Sequence, residues 1–166
     1  MTSLKNELVG TWRLLSYIEV PLDGGDSGFP MGTSPKGLLI YAPDGHMSVQ
    51  ISGSQVQKYV SGDRMNATEI EMAERMRGYI AFSGKYNVDN KAASVMYTIQ
   101  TSLFPNWEGG EQLRKIDFEG DILYQKSLDP ILASGRLVHS YITWQKVEKD
   151  ATEEMLKDVG DTSMSA

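Results

Sequence analysis

The chain has 166 residues, no cysteine and a net charge of −6. That length suits one domain with a genuine core, and the lack of thiols excludes a disulfide framework and thiolate chemistry. The opening Met1-Thr2-Ser3-Leu4-Lys5-Asn6-Glu7 lacks the basic and apolar segments of a secretory signal. No apolar run approaches the roughly 18 residues that a membrane helix needs. The expectation is a soluble, cytoplasmic protein in which the Asn66-Ala67-Thr68 sequon is incidental.

Charge is distributed unevenly. From Val147 to Ala166 six acids and two lysines place −4 in the tail, leaving −2 on the body. A body without a basic stripe argues against a nucleic-acid partner, because phosphate contacts require clustered Lys and Arg. Residues 148–166 read as a flexible acidic tail with a short helix through Glu153–Asp158, and residues 1–147 as a single β domain.

Eight strand-like runs follow one another: Gly10–Val20, Gly37–Tyr41, His46–Ile51, Tyr79–Val88, Ser94–Leu103, Gln112–Glu119, Ile122–Ser127 and Leu137–Lys146. Pro43-Asp44-Gly45, Asp89-Asn90-Lys91 and Glu119-Gly120-Asp121 supply tight turns between three of the pairs. One segment departs from strand spacing. Between Asn66 and Arg77, Asn66 is placed to cap a helix with Glu69 three residues on. There Ile70, Ala73 and Met76 share a face, and Gly78 is a stop. Eight antiparallel strands with short turns predict an all-β, up-and-down barrel with one short helix inserted after the third strand.

Alternation assigns the inner face. Met47, Val49 and Ile51 point in, as do Ile80, Phe82, Tyr86 and Val88, and then Val95, Tyr97, Ile99 and Leu103. The sixth run turns Gln112 and Arg114 inward with Ile116 and Phe118, and the seventh turns in Ile122 and Tyr124. The last run has two phases. Val138, Ser140, Ile142 and Trp144 form the more apolar inner set, whereas the opposite phase brings His139 inside. In the first run Trp12, Leu14 and Ile18 point in and Leu15 and Tyr17 out, a patch for the Asn66–Arg77 helix to cover or for a homodimer to use.

Gly10-Thr11-Trp12 resembles the opening of a lipocalin-type barrel, in which a Gly-x-Trp begins the first strand and its indole plugs the closed end. Further stretches are similar to the lipocalin-like domain of fungal and bacterial proteins. They are Pro35-Lys36-Gly37-Leu38-Leu39-Ile40-Tyr41, Asp44-Gly45-His46-Met47-Ser48-Val49, Phe82-Ser83-Gly84-Lys85-Tyr86, Ser102-Leu103-Phe104-Pro105-Asn106-Trp107-Glu108-Gly109, Gln112-Leu113-Arg114 and Trp144-Gln145-Lys146. The family often ends its last strand with Trp-x-Arg, where this chain has Lys146. The resemblance implies the fold. For function it implies less: some members resemble isomerases or cyclases encoded beside natural-product pathways.

An arginine among inward apolar residues is the chemically distinctive prediction, since a buried guanidinium is costly unless something pairs with it. Arg114 can hold a ligand carboxylate, enolate or phenolate, or serve as a structural arginine. Tyr97 and His139 are the further candidates for proton transfer, each with a packing role as the alternative. Gln112, Tyr41, Tyr86, Tyr124 and Phe82 are expected to line the cavity, and Trp107, in the loop Phe104–Glu111, to lid its mouth. Two histidines, no cysteine and scattered acids supply no metal site, and nothing suggests a bound cofactor. Gly25-Asp26-Ser27-Gly28 looks like a protease nucleophile segment but lies in a loop upstream of both histidines. Gly24 to Gly32 precedes no helix and does not read as a phosphate loop. The function predicted is binding of a small apolar molecule inside the barrel with cofactor-independent isomerisation or cyclisation. A non-catalytic carrier is the alternative, and a filled barrel serving only as an interaction domain is a third reading.

Overall fold

The computed structural model describes residues 3–148. A short helix α1 (Leu4–Leu8) leads into β1 (Gly10–Pro21), β2 (Lys36–Tyr41) and β3 (His46–Ser52). Helix α2 (Glu69–Arg77) precedes β4 (Tyr79–Asp89) and β5 (Ser94–Ser102). A 3-10 turn at Pro105–Trp107 then leads to β6 (Glu111–Glu119), β7 (Ile122–Ser127), β8 (Ile131–Ala133) and β9 (Arg136–Lys146). Neighbouring strands pair antiparallel in chain order, β9 pairs with β7 and back onto β1, and β8 is an extra edge strand on β9. The result is a closed eight-stranded barrel with one added strand. The acidic tail expected beyond Glu148, with its helix, lies outside the described residues. No helix among the described residues is long and apolar enough to cross a membrane.

The ends of the barrel differ because the turns do. Tight connections at 42–45, 90–93 and 120–121 gather at one end with α1, and all the long loops gather at the other. Trp12 closes the first end. It is 2 % exposed, its indole N–H donates to the Leu8 carbonyl at 2.8 Å, and its ring lies against Phe118. The Lys146 ammonium stands 4.6 Å from the indole centroid and donates to the carbonyls of Val9 and Glu7. Lys146, at the position where the resemblance leads one to expect arginine, thus places a cation on the indole face. Gly10 adopts φ +130°, and a Cβ there would stand 2.7 Å from Lys146 Nζ, so a side chain would displace the lysine.

Three phase assignments are corrected by the structure. In β1 the register on β9 slips between Leu14 and Ser16, leaving Leu15 as the extra residue of a bulge. The bulge reverses the alternation beyond it, so Tyr17 points inward, 5 % exposed, and Ile18 does not. In β5 a similar slip leaves Gln100 unopposed, bringing Ser102 opposite Phe82 and leaving Leu103 outside the strand and exposed. Gly84 sits at that slip, where a Cβ would meet the Thr98 carbonyl at 2.0 Å. In β7 the buried side chains are Leu123, Gln125 and Ser127, whereas Tyr124 faces solvent.

Helix α2 is capped by Thr68 rather than Asn66. Thr68 Oγ1 accepts from the Glu71 N–H and the Glu71 carboxylate accepts from the Thr68 N–H, a reciprocal pair two residues later than expected. The helix does not cover a β1 patch. It stands at the open end beside β4, with Arg75 over the Tyr79 ring and donating to Ser52, and leaves Ile70, Met72 and Met76 exposed.

Candidate ligand-binding site

The inner face of the barrel is mostly occupied by its own side chains. Around Gln125 they form a connected polar core. The Gln125 amide donates to the Tyr41 and Tyr97 hydroxyls at 2.8 and 2.9 Å, and its carbonyl accepts from the Trp144 indole at 2.9 Å. The two tyrosine hydroxyls also bond to each other. Burial pushes both phenols above their ordinary pKa, so they remain neutral. This network explains the β7 phase. Three buried polar atoms, the hydroxyls of Tyr41 and Tyr97 and the indole N–H of Trp144, require an amide that both donates and accepts between them, and burying Gln125 supplies it where Tyr124 could not.

Arg114 lies nearer the open end and is 5 % exposed. Its Nη2 donates to the Gln112 side-chain carbonyl at 2.7 Å and its Nη1 reaches Ser140 Oγ at 3.4 Å. Among the described residues the ion pairs are Asp44–His46 and Arg136–Asp23, so Arg114 has only neutral hydrogen-bond partners. Burial lowers the pKa of the guanidinium, with Tyr97, Tyr17, Tyr41 and, least of these, Asp129 acting the other way. Arginine nevertheless keeps its proton, so this is a desolvated cation with donor capacity to spare.

The space around it is divided. A chamber of about 20 Å³ lies inside the barrel, bordered by Tyr17, Phe82, Tyr97, Trp107, Arg114 and Ile131 among others. That is room for one water molecule rather than an organic ligand, so the expected hollow interior is nearly filled. Two larger hollows adjoin it at the open end. One of about 420 Å³ is lined by Tyr17, Glu19, Met31, Met76, Ile80, Trp107 and Ile131. The other, of about 390 Å³, exposes Arg114 and Gln112 beside Phe104, Trp107 and Ile131. Trp107 and Ile131 border all three spaces. Trp107 stacks edge-on against Phe82 and Phe104, at centroid distances of 5.9 and 5.3 Å, where it separates the chamber from the hollows at the open end.

The residues singled out from sequence separate into groups. Arg114, Gln112, Tyr97, Phe82 and Trp107 come together around the chamber and its mouth. Tyr41 is buried in the Gln125 network, and Tyr86, toward the closed end, donates to the Ala42 carbonyl and packs edge-on against Tyr41. Tyr124 is corrected outright. It is 41 % exposed on the outer face and donates to Glu119. His139 takes the outward phase, because Val138, Ser140, Ile142 and Trp144 fill the interior, and its Nδ1 bonds the Ser127 carbonyl. It does not border the chamber. Tyr17, Glu19 and Gln125 were not anticipated at the site, whereas Ser140 points inward as its phase predicts. Tyr17 and Glu19 needed the β1 bulge, whereas Gln125 was signalled only by the number of buried hydroxyl and indole groups requiring a partner.

A lipocalin-like domain model matches residues 9–147. The chain belongs to the lipocalin-like domain family. It is also similar to the 4'-hydroxy-3'-methoxypropiophenone carrier protein of Aspergillus oryzae, at 30 % identity over 109 residues, 62 % of this chain and 98 % of that protein.

Proposed function

We propose that the protein is a cytoplasmic, non-catalytic carrier for a small, largely apolar organic molecule of natural-product biosynthesis, held at the open end with a ligand oxygen against Arg114. The observation that carries this reading is a guanidinium 5 % exposed and bound only to neutral groups, which borders the inner chamber and the 390 Å³ hollow at the open end. A ligand carbonyl or phenolate would supply the acceptor it lacks. Because the inner chamber holds only about 20 Å³, entry requires Trp107 and Ile131 to move aside and merge the chamber with the hollows. The likeness to a propiophenone carrier favours a small aryl ketone as the ligand class.

The same guanidinium also motivates a second reading, cofactor-independent isomerisation or cyclisation, in which Arg114 stabilises charge developing on a carbonyl oxygen. The test is to titrate the protein with propiophenone while following tryptophan fluorescence, then to recover the ketone for mass and NMR analysis. Saturable, stoichiometric binding with unchanged ketone supports a carrier. A rearranged product supports the enzyme, and failure to bind any member of an aryl-ketone panel refutes both.

A further inference from the structure

We infer that Glu19 is a second polar anchor of this site, accepting a hydrogen bond from a ligand hydroxyl, so that the preferred ligand class is a hydroxylated aryl ketone. The inference rests on the carrier reading and adds to it the end of the ligand that Arg114 does not touch.

The placement follows from the β1 bulge. With Leu15 extruded, Glu19 stands opposite Ser140, whose side chain is inside the barrel and 1 % exposed, so Glu19 shares the inner face with Tyr17. Its position is fixed by reciprocal backbone hydrogen bonds with Gly28, both 2.9 Å, which tie the covering loop to the strand. The side chain borders the 420 Å³ hollow together with Tyr17, Ile80, Trp107 and Ile131. Glu19 is half-buried there, and its carboxylate is in none of the ion pairs or side-chain hydrogen bonds formed among the described residues. Burial raises its pKa, and burial first and the Glu19 charge second raise that of Tyr17.

Arg77 borders the same hollow without forming an ion pair with Glu19. Arg114 and Glu19 have opposite hydrogen-bonding characters. A guanidinium only donates, and an ionised carboxylate only accepts. The apolar strip of Ile80, Trp107 and Ile131, together with Tyr17, borders both the chamber that Arg114 lines and the hollow that Glu19 lines. A molecule spanning that strip finds both ends satisfied when it carries an acceptor at the Arg114 end and a donor at the Glu19 end. A carbonyl and a hydroxyl on opposite sides of an aromatic ring meet this condition. An ether in place of the hydroxyl, or a second carboxylate, does not.

The experiment compares dissociation constants of propiophenone, 4'-hydroxypropiophenone and 4'-methoxypropiophenone for the wild type, Glu19→Gln and Glu19→Met. A hydrogen bond to a charged group predicts that the wild type prefers the hydroxy compound about tenfold or more over the other two. The preference should fall to within about twofold in Glu19→Met, whereas a merely structural role would move all three constants together. Thermal melting checks that each variant folds, and if Glu19→Met does not, a reduced preference in Glu19→Gln decides. Equal wild-type affinity for all three, or a preference that persists in every folded variant, overturns the inference and leaves the carrier standing. If none of the three binds the wild type, the carrier reading falls and this inference with it.

Discussion

Replacing Arg114 with methionine should separate stability from binding. In the empty protein the guanidinium has lost nearly all contact with water and receives in return one good hydrogen bond to Gln112, at 2.7 Å, and one long one to Ser140, at 3.4 Å, with no carboxylate partner. Burying an ion costs several kcal/mol after relaxation, and two hydrogen bonds from a charged donor return about 1.5–3 kcal/mol each at best. Methionine keeps the unbranched apolar stem and removes the charge. The Gln112 carbonyl that loses its donor is only partly buried and can turn to water. The unfolding free energy should therefore be unchanged or higher, by up to about 2 kcal/mol. Affinity for an aryl ketone should fall by about tenfold to a hundredfold, the value of one charge-assisted hydrogen bond. Urea unfolding followed by tryptophan fluorescence gives the first quantity, and titration gives the second. Destabilisation by more than about 3 kcal/mol with unaltered affinity would show that Arg114 holds the barrel together, and the reasoning about its unused donors would fail.

Other substitutions probe the remaining parts of the barrel. Gln125→Leu removes the bridge between Tyr41, Tyr97 and Trp144 and leaves the buried indole N–H without an acceptor. A loss of about 2–4 kcal/mol in urea unfolding is expected. Lys146→Met takes the cation from the Trp12 face and the donor from the Val9 carbonyl, and should lower stability by about 1–2 kcal/mol, measurable as a fall in the urea midpoint. Glu19 sets a pH dependence. Its raised pKa means that the folded state holds a proton that the unfolded chain has released, so this group makes unfolding easier as pH climbs from the ordinary carboxylate value through the raised one. Asp23, Asp44 and Glu71 have lowered values and contribute the opposite slope at lower pH, so the comparison is with Glu19→Gln, whose stability should decline less over the window that Glu19 controls. Denaturant midpoints at a series of pH values test this, and parallel curves for the two proteins would refute it.

The barrel was legible because a strand with one wet face must alternate. Met47, Val49 and Ile51, and Gln112, Arg114 and Ile116, show that alternation without interruption, and the structure places them as read. The turn glycines and the Gly10–Trp12 opening were equally local signals. In β9 a simple count of apolar residues selected the correct phase and so placed His139 outside. Arg114 could be found in the same way, since its strand has only one plausible inner face.

What the chain alone determined is thus the order of the strands, the closure they imply and the inward guanidinium, all consequences of period-two patterning over a few neighbouring residues. Tertiary structure decided the rest. A single bulged residue, Leu15, exchanged the faces of everything after it in β1 and brought Tyr17 and Glu19 to the mouth. The demand of distant hydroxyl and indole groups for a partner drew Gln125 inward, and turned Tyr124 out, against the apolar count. Bulges and buried hydrogen-bond partners depend on which strands lie opposite one another, a relation between residues far apart in the chain, and the division of the interior into a small chamber and an open mouth follows from them.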